Sequence, residues 1–185
     1  CTLTDNTANN HGGGIYRRAG TVNLKNTIVA GNTDNTNHSN DDCATGTSGS
    51  TTSQGYNLVG DGTGCPSDGT GDQRSSDPKL DALADNGGPT ETHALLSGSP
   101  ALDAIPNRTN GCGTDYTRDQ RGITRPQSGA CDVGAYEFGF FYTYWDGGGV
   151  DNNTSTAENW LLDVVPDTND IPVFNDTSSK SAIVD

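Results

Sequence analysis

Apolar residues in this chain come in short alternating runs, separated by polar stretches rich in turn-forming residues. "CTLTDNTA" at 1–8 and "TIVAGNTD" at 27–34 share a pattern that sets Asn6 over Asn32 and Thr7 over Thr33, an offset of 26 residues. That offset falls in the range of solenoid repeats. Between them, "GGGIYRRAGTVNLKN" alternates apolar and polar positions, with Ile15 in one strand and Val22 and Leu24 in the next. A third apolar run, "GYNLVGD" at 55–61, follows a loop of Ser, Thr and Gly. The pattern predicts that residues 1–65 form coils of a right-handed parallel β-helix. Each strand would pair with its equivalent one coil along, satisfying backbone groups between coils. Asn6 and Asn32 are then expected to stack as an internal amide ladder, since each amide both donates and accepts.

From 66 to 138 the repeat fades. "THALL" at 92–96 reads as a single helical turn, and its surroundings are turn chemistry: Asp-Pro, Asn-Gly-Gly-Pro and Gly-Ser-Pro. Solenoid ends need atypical covering elements, so this stretch is expected to be an irregular cap, ending in a strand at "CDVGAYEF". Residues 139–185 open with the aromatic "FGFFYTYW" and continue through strand-like "IPVFN" and "SAIVD", the start of a further β-rich module or an assembly tail. The expected fold class is therefore all-β: a parallel β-helix, a disulfide-stapled cap and a second β-rich module. Both ends read as strands cut short, which predicts self-association or covalent continuation through them.

Composition sharpens this picture. Only 30% of the 185 residues are hydrophobic, glycine occurs 25 times and methionine not at all. A wide globular core is out of reach, whereas narrow stacked units need few large apolar residues. The net charge of −14 argues against nucleic acid and anionic membranes as partners, and no apolar run approaches membrane-span length. The many Asp residues leave room for calcium, but no cofactor is called for. "DGGGVD" at 146–151 reads better as a tight glycine turn than as a calcium-binding nonapeptide.

Several rare strings in fixed order carry a resemblance: "NTIVAGNT", "GYNLVGD", "DPKLDALADNGGPTETHALLSGSPALDA", "RDQRGITRP" at 118–126 and "CDVGAYE" at 131–137. Over residues 1–138 the chain resembles the C-terminal part of choice-of-anchor bacterial surface proteins. From Tyr144, "STAENW" and "DVVPDTNDIPVFN" resemble a β-helical repeat module of autotransporter-like passengers. The resemblance implies export and surface display, and it carries no catalytic residues.

Five cysteines are present, with no CxxC pair. Cys43 and Cys65 bracket one irregular excursion, and Cys112 and Cys131 another. Four cysteines permit three pairings; the sequential one is expected, each bond closing a loop of ~20 residues. Cys1 is left over and reads as the start of a strand. Arg118, Asp119, Arg121, Arg125 and Glu137 are expected to knot the cap together rather than bind an acidic sugar. His11, His38 and His93 share no metal spacing, and His93 reads as a packed cap residue. The sequons at 37–39, 107–109, 152–155 and 175–177 signal exposure. No nucleophile–base pair or G-x-S-x-G string occurs. The expected function is a non-enzymatic structural or adhesive extracellular protein, part of a fibre or a surface stalk, with a glycan or cell-surface target. Its rival is a carbohydrate-binding or carbohydrate-cleaving β-helix.

Overall fold

The computed structural model describes residues 1–36, 41–60, 64–75, 77–127, 129–139, 141–145, 155 and 170–174. The chain divides into two compact units, Cys1–Phe138 and Gly139–Asp185. Regular structure among the described residues is entirely β.

In the first unit the early strands are β1 (Thr2–Leu3), β2 (Thr7–Ala8), β3 (Ile15–Leu24) and β4 (Ile28–Val29). They are followed by β5 (Thr33–Asp34), β6 (Cys43–Ser53), β7 (Leu58–Val59) and β8 (Gln73–Arg74). A four-stranded parallel sheet runs β1-β4-β7-β8, with Thr2 opposite Ile28, Ile28 opposite Leu58 and Leu58 opposite Gln73. β2 pairs with β5, and β3 with β6, each as a separate parallel pair; a register shift lies between Arg17 and Ala19. Later strands turn antiparallel: β9 (Leu80–Ala84) with β10 (Thr92–Leu95), and β11 (Ile105–Pro106) with β12 (Ala130–Cys131).

The expected β-helix does not form. The described residues make one four-stranded sheet and five two-stranded ones, mostly separate from each other, and none builds a solenoid. Two physical reasons stand out. The spacing between paired residues is irregular: 26 from Thr2 to Ile28, 30 from Ile28 to Leu58, but 15 from Leu58 to Gln73. Left-handed residues at Asp5, His11, Asn26 and Tyr56 also break the backbone between strands, leaving most of them two residues long. The expected helical turn at "THALL" is likewise corrected. Thr92–Leu95 is strand β10, with Thr92 and Leu95 buried at its two ends.

The four-stranded sheet is buried on both faces because its central strands are apolar pairs. Successive side chains on a strand point to opposite sides. Ile28 and Leu58, both 0% exposed, join Leu95, Ala101, Ile105, Cys112, Cys131 and Val133. Val29 and Val59 face the other way, onto Leu24, Cys43 and Cys65.

Amides and carboxylates tie the ladders laterally. Asn32 Oδ1 accepts hydrogen bonds from Asn6 N and Asn6 Nδ2 at 3.1 and 2.9 Å. Asn32 N and Nδ2 in turn donate to Asp42 Oδ1 at 2.9 and 2.8 Å. A second run repeats the device. Thr27 N donates to Asn57 Oδ1, and Asn57 N and Nδ2 donate to Asp72 Oδ1. An amide relays the polarity because it both donates and accepts, while a carboxylate only accepts. Each run therefore closes at its aspartate.

The second unit pairs β13 (Phe141–Trp145) with β14 (Asp170–Phe174) in parallel, Phe141 opposite Asp170, with Trp145 2% exposed. His38, "DGGGVD", "SAIVD", most of "STAENW" and the sequons at 37–39 and 175–177 lie outside the described residues, as does most of that at 152–155.

Candidate functional site

Two disulfides hold the first unit. Cys43 pairs with Cys65 and Cys112 with Cys131, with Cα separations of 5.1 and 5.8 Å; Cys1 is free and exposed. Intramolecular disulfides point to an oxidising compartment. Among the described residues no helix is long and apolar enough to cross a membrane, and no three His, Cys, Asp or Glu side chains gather as a metal set.

The five residues assigned to the cap cluster split into three arrangements. Arg121 and Asp119 form a buried ion pair at 2.8 Å. Asp119 Oδ1 also accepts the backbone N–H of Arg121 and Ile123, while Oδ2 accepts that of Glu137. The Arg121 guanidinium lies 3.5 Å from the ring centroid of Tyr136 and donates to Glu137 O. Arg125 is buried beside Glu137, its Nε 3.3 Å from Oε2, and it donates to the carbonyls of Asp132 and Gly134. Arg118 stands apart. It is exposed, and Nη1 donates to Gly122 O.

Asp132, which the sequence reading passed over, completes the buried group. Its carboxylate accepts the N–H of Asp103 and of Phe138. Glu137 accepts the N–H of Asp132 and Gln127. Burial pushes both carboxyls up, Asp132 to about 6 and Glu137 to about 7; their backbone donors and Arg125 oppose the shift. The only sequence signal for Asp132 was its place beside Cys131 in "CDVGAYE".

Above this group lies an open cleft of about 450 Å³, lined among others by Lys25, Asn26, Tyr116, Arg118, Gln120 and Arg125. Its walls come from two distant stretches of chain, joined by a reciprocal amide pair. Asn26 Nδ2 donates to Asn110 O, and Asn110 Nδ2 donates to Asn26 Oδ1 at 2.7 Å. Both asparagines have φ of 51°, a left-handed conformation that asparagine tolerates better than most residues. The Cys112–Cys131 bond pins the same loop. Gly111, at φ 90°, lets the Tyr116 ring pass where a Cβ would meet it at 2.7 Å. Lys25 Nζ consequently sits 5.2 Å from the Tyr116 ring centroid.

No family model matches this chain, and neither the curated proteins nor the solved structures searched contain a match.

The amide partners Asn6 and Asn32 lie away from this cleft, and Asn6 lines a second groove of about 580 Å³ with Thr2, Thr7 and His93. His93 Nδ1 meets the carbonyl of Asp81 at 2.8 Å, and His11 stacks on Tyr16 with centroids 4.9 Å apart.

Proposed function

We propose that this chain is a non-enzymatic structural or adhesive element of an extracellular, cell-surface protein. The observation that carries the reading is the β3–β6 ribbon. Its strands are ten and eleven residues long, and among the described residues they pair only with each other. From Arg18 to Thr21 and from Thr47 to Ser50 every residue is exposed. Each strand keeps one lateral edge outside the ladder. Such an edge offers N–H and C=O groups to a further strand, the chemistry by which β proteins add to one another. The polar Ser, Thr and Gly side chains make the ribbon a wet, adaptable surface rather than a core.

Three further features support the reading. Two disulfides suit an oxidising environment outside the cell. The carboxylates Asp119, Asp132 and Glu137 are occupied with backbone N–H groups, a structural task. The strings at 118–126 and 131–137 resemble those of choice-of-anchor surface proteins. On this reading the partners are further copies or further modules of the same surface structure, whether fibre or stalk.

The test is association. The purified chain should self-associate as its concentration rises in sedimentation velocity, or beads coated with it should adhere to cells. Ser48→Lys with Ser50→Lys, which charges the exposed edge, should reduce either effect several-fold. A chain that stays monomeric and coats beads that bind no cell surface would count against the proposal.

A further inference from the structure

We infer that the cleft between Lys25, Tyr116 and Arg118 is a binding site for a carboxylated saccharide, an acidic glycan of the uronate type. This deepens the adhesive reading and rests on it.

The case begins with charge. The chain carries 24 acidic and only 10 Lys or Arg residues, so two cations in one concave site form a local exception to its acidic balance. Arg121 and Arg125 are consumed by Asp119 and Glu137. Among the described residues no acidic partner lies within ion-pair distance of Lys25 or Arg118, and both line one concave site of about 450 Å³. Lys25 Nζ lies over the face of Tyr116, and among the described residues the Arg118 guanidinium spends one N–H on Gly122 O, leaving the rest of its fork open.

The second element is aromatic. Tyr116 is 45% exposed, although tyrosine is costly to leave in water and the chain is only 6% aromatic. Its main chain is held, with Tyr116 N donating to Gly111 O and Gly113 N donating to Tyr116 O, and its ring packs over Gly111. A ring fixed in this way loses little freedom on binding, which is the condition for a preorganised platform. Sugar rings present apolar C–H faces that lie against aromatic faces, while a ring carboxylate takes a guanidinium fork or an ammonium. Gln120, whose amide nitrogen is engaged by Thr90 and Glu91, lines the same cleft and can offer its oxygen to hydroxyls.

The third element is rigidity. The Asn26–Asn110 amide pair and the Cys112–Cys131 bond fix the two walls, and the buried Arg125–Glu137 and Arg121–Asp119 pairs fix the floor. The residues taken from the sequence as a structural knot thus support a site formed by the one arginine that does not join the knot.

The experiment is calorimetric titration of the whole chain with a galacturonic acid hexasaccharide, with maltohexaose and with citrate. The acidic hexasaccharide should bind, and the affinity should fall as salt rises. Maltohexaose should bind at least tenfold more weakly, since it offers the sugar faces without the charge. Citrate should bind at least tenfold more weakly, since it offers the charge without the faces. Lys25→Ala and Arg118→Ala should each lower hexasaccharide affinity at least tenfold, Tyr116→Ala likewise. Lys25→Arg and Tyr116→Phe should retain it. Unchanged melting temperatures in these surface variants establish that the fold survives. No binding by the acidic hexasaccharide, equal binding by maltohexaose or citrate, or unchanged affinity in Lys25→Ala and Arg118→Ala would overturn the inference. Bead adhesion run in parallel separates the two proposals: adhesion that persists in the double variant leaves the adhesive reading standing and removes the cleft.

Discussion

At Glu137 and Asp132 two carboxyl groups sit 1% and 2% exposed, each accepting two backbone N–H groups. Burial raises both, to about 7 and about 6, so the folded chain holds these protons more tightly than the unfolded one. The sign follows: stability is fullest below the ordinary carboxyl range near about 4 and declines as pH rises through about 6 and about 7. Melting temperature is expected to fall between pH 5 and 8, and Glu137→Gln should flatten that slope. An identical slope in the variant would show that other groups carry it. Asn32 makes a different kind of demand. Its amide joins Asn6 to Asp42, so Asn32→Ala removes the acceptor of Asn6 N and Nδ2 and the donor to Leu3 O and Asp42 Oδ1, while the backbone N–H of residue 32 still reaches Asp42. A loss of about 1–3 kcal/mol is expected, read from the urea midpoint at constant slope. Asn32 with Asn6 was legible from the aligned repeats in sequence. Asp42 and Asp72 were not, because an aspartate that ends an amide run looks, in sequence, like any loop aspartate.

Apart from β3 and β6, the described strands have two to five residues, and their stability comes from what is clamped across them. The strands of the four-stranded sheet are two residues long, so hydrogen bonds along any one strand contribute little. Replacing Cys112 and Cys131 together by serine should cost about 3 kcal/mol in the chain-entropy model. It should also weaken the cleft, because the same bond positions the Tyr116 loop. Loss of stability in denaturant with fully retained saccharide binding would separate the two roles. Gly13 supplies a test of close packing. A Cβ there would come within 2.5 Å of the Thr33 backbone, at the β2–β5 pair. Gly13→Ala is expected to destabilise by about 1–3 kcal/mol, since backbone on one side must move. A melting temperature within one degree of the parent would show that the loop yields freely. The short strand at Thr92–Leu95 illustrates why propensity misled. "THALL" has helix-forming residues, but His93 lies opposite Leu83 in the antiparallel ladder, and tertiary pairing overrides local preference.

For the whole molecule, the division at Phe138 makes a simple expectation. A chain of residues 1–138 holds both disulfides, both apolar clusters and the buried carboxylates. It should unfold in one cooperative transition with a midpoint close to that of the full chain; a broad, non-cooperative melt would show that residues 139–185 are needed. What the sequence determined by itself was the β class, the sequential pairing of the cysteines, and the amide kinship of Asn6 and Asn32; the stretch from Cys43, read as an irregular excursion, is instead mostly the strand β6. These follow from local facts: alternation of period two, turn residues at fixed places, and the redox logic of cysteine. The parallel pairing of Thr2 with Ile28 was likewise implicit in the 26-residue offset. Continuation into a solenoid was not decided there. Whether successive pairs join into coils depends on the length and backbone conformation of every connection, and a shift from 30 residues to 15 is invisible to a pattern of apolar letters. The cleft, too, belongs to the tertiary structure alone. Lys25 and Tyr116 are far apart in the chain, and the Asn26–Asn110 pair and the Cys112–Cys131 bond help to bring them face to face. Sorting the three arginines and two acids of that cluster into two buried pairs, with Arg118 outside them, likewise required distances, because composition records charge but not which charges have already found each other.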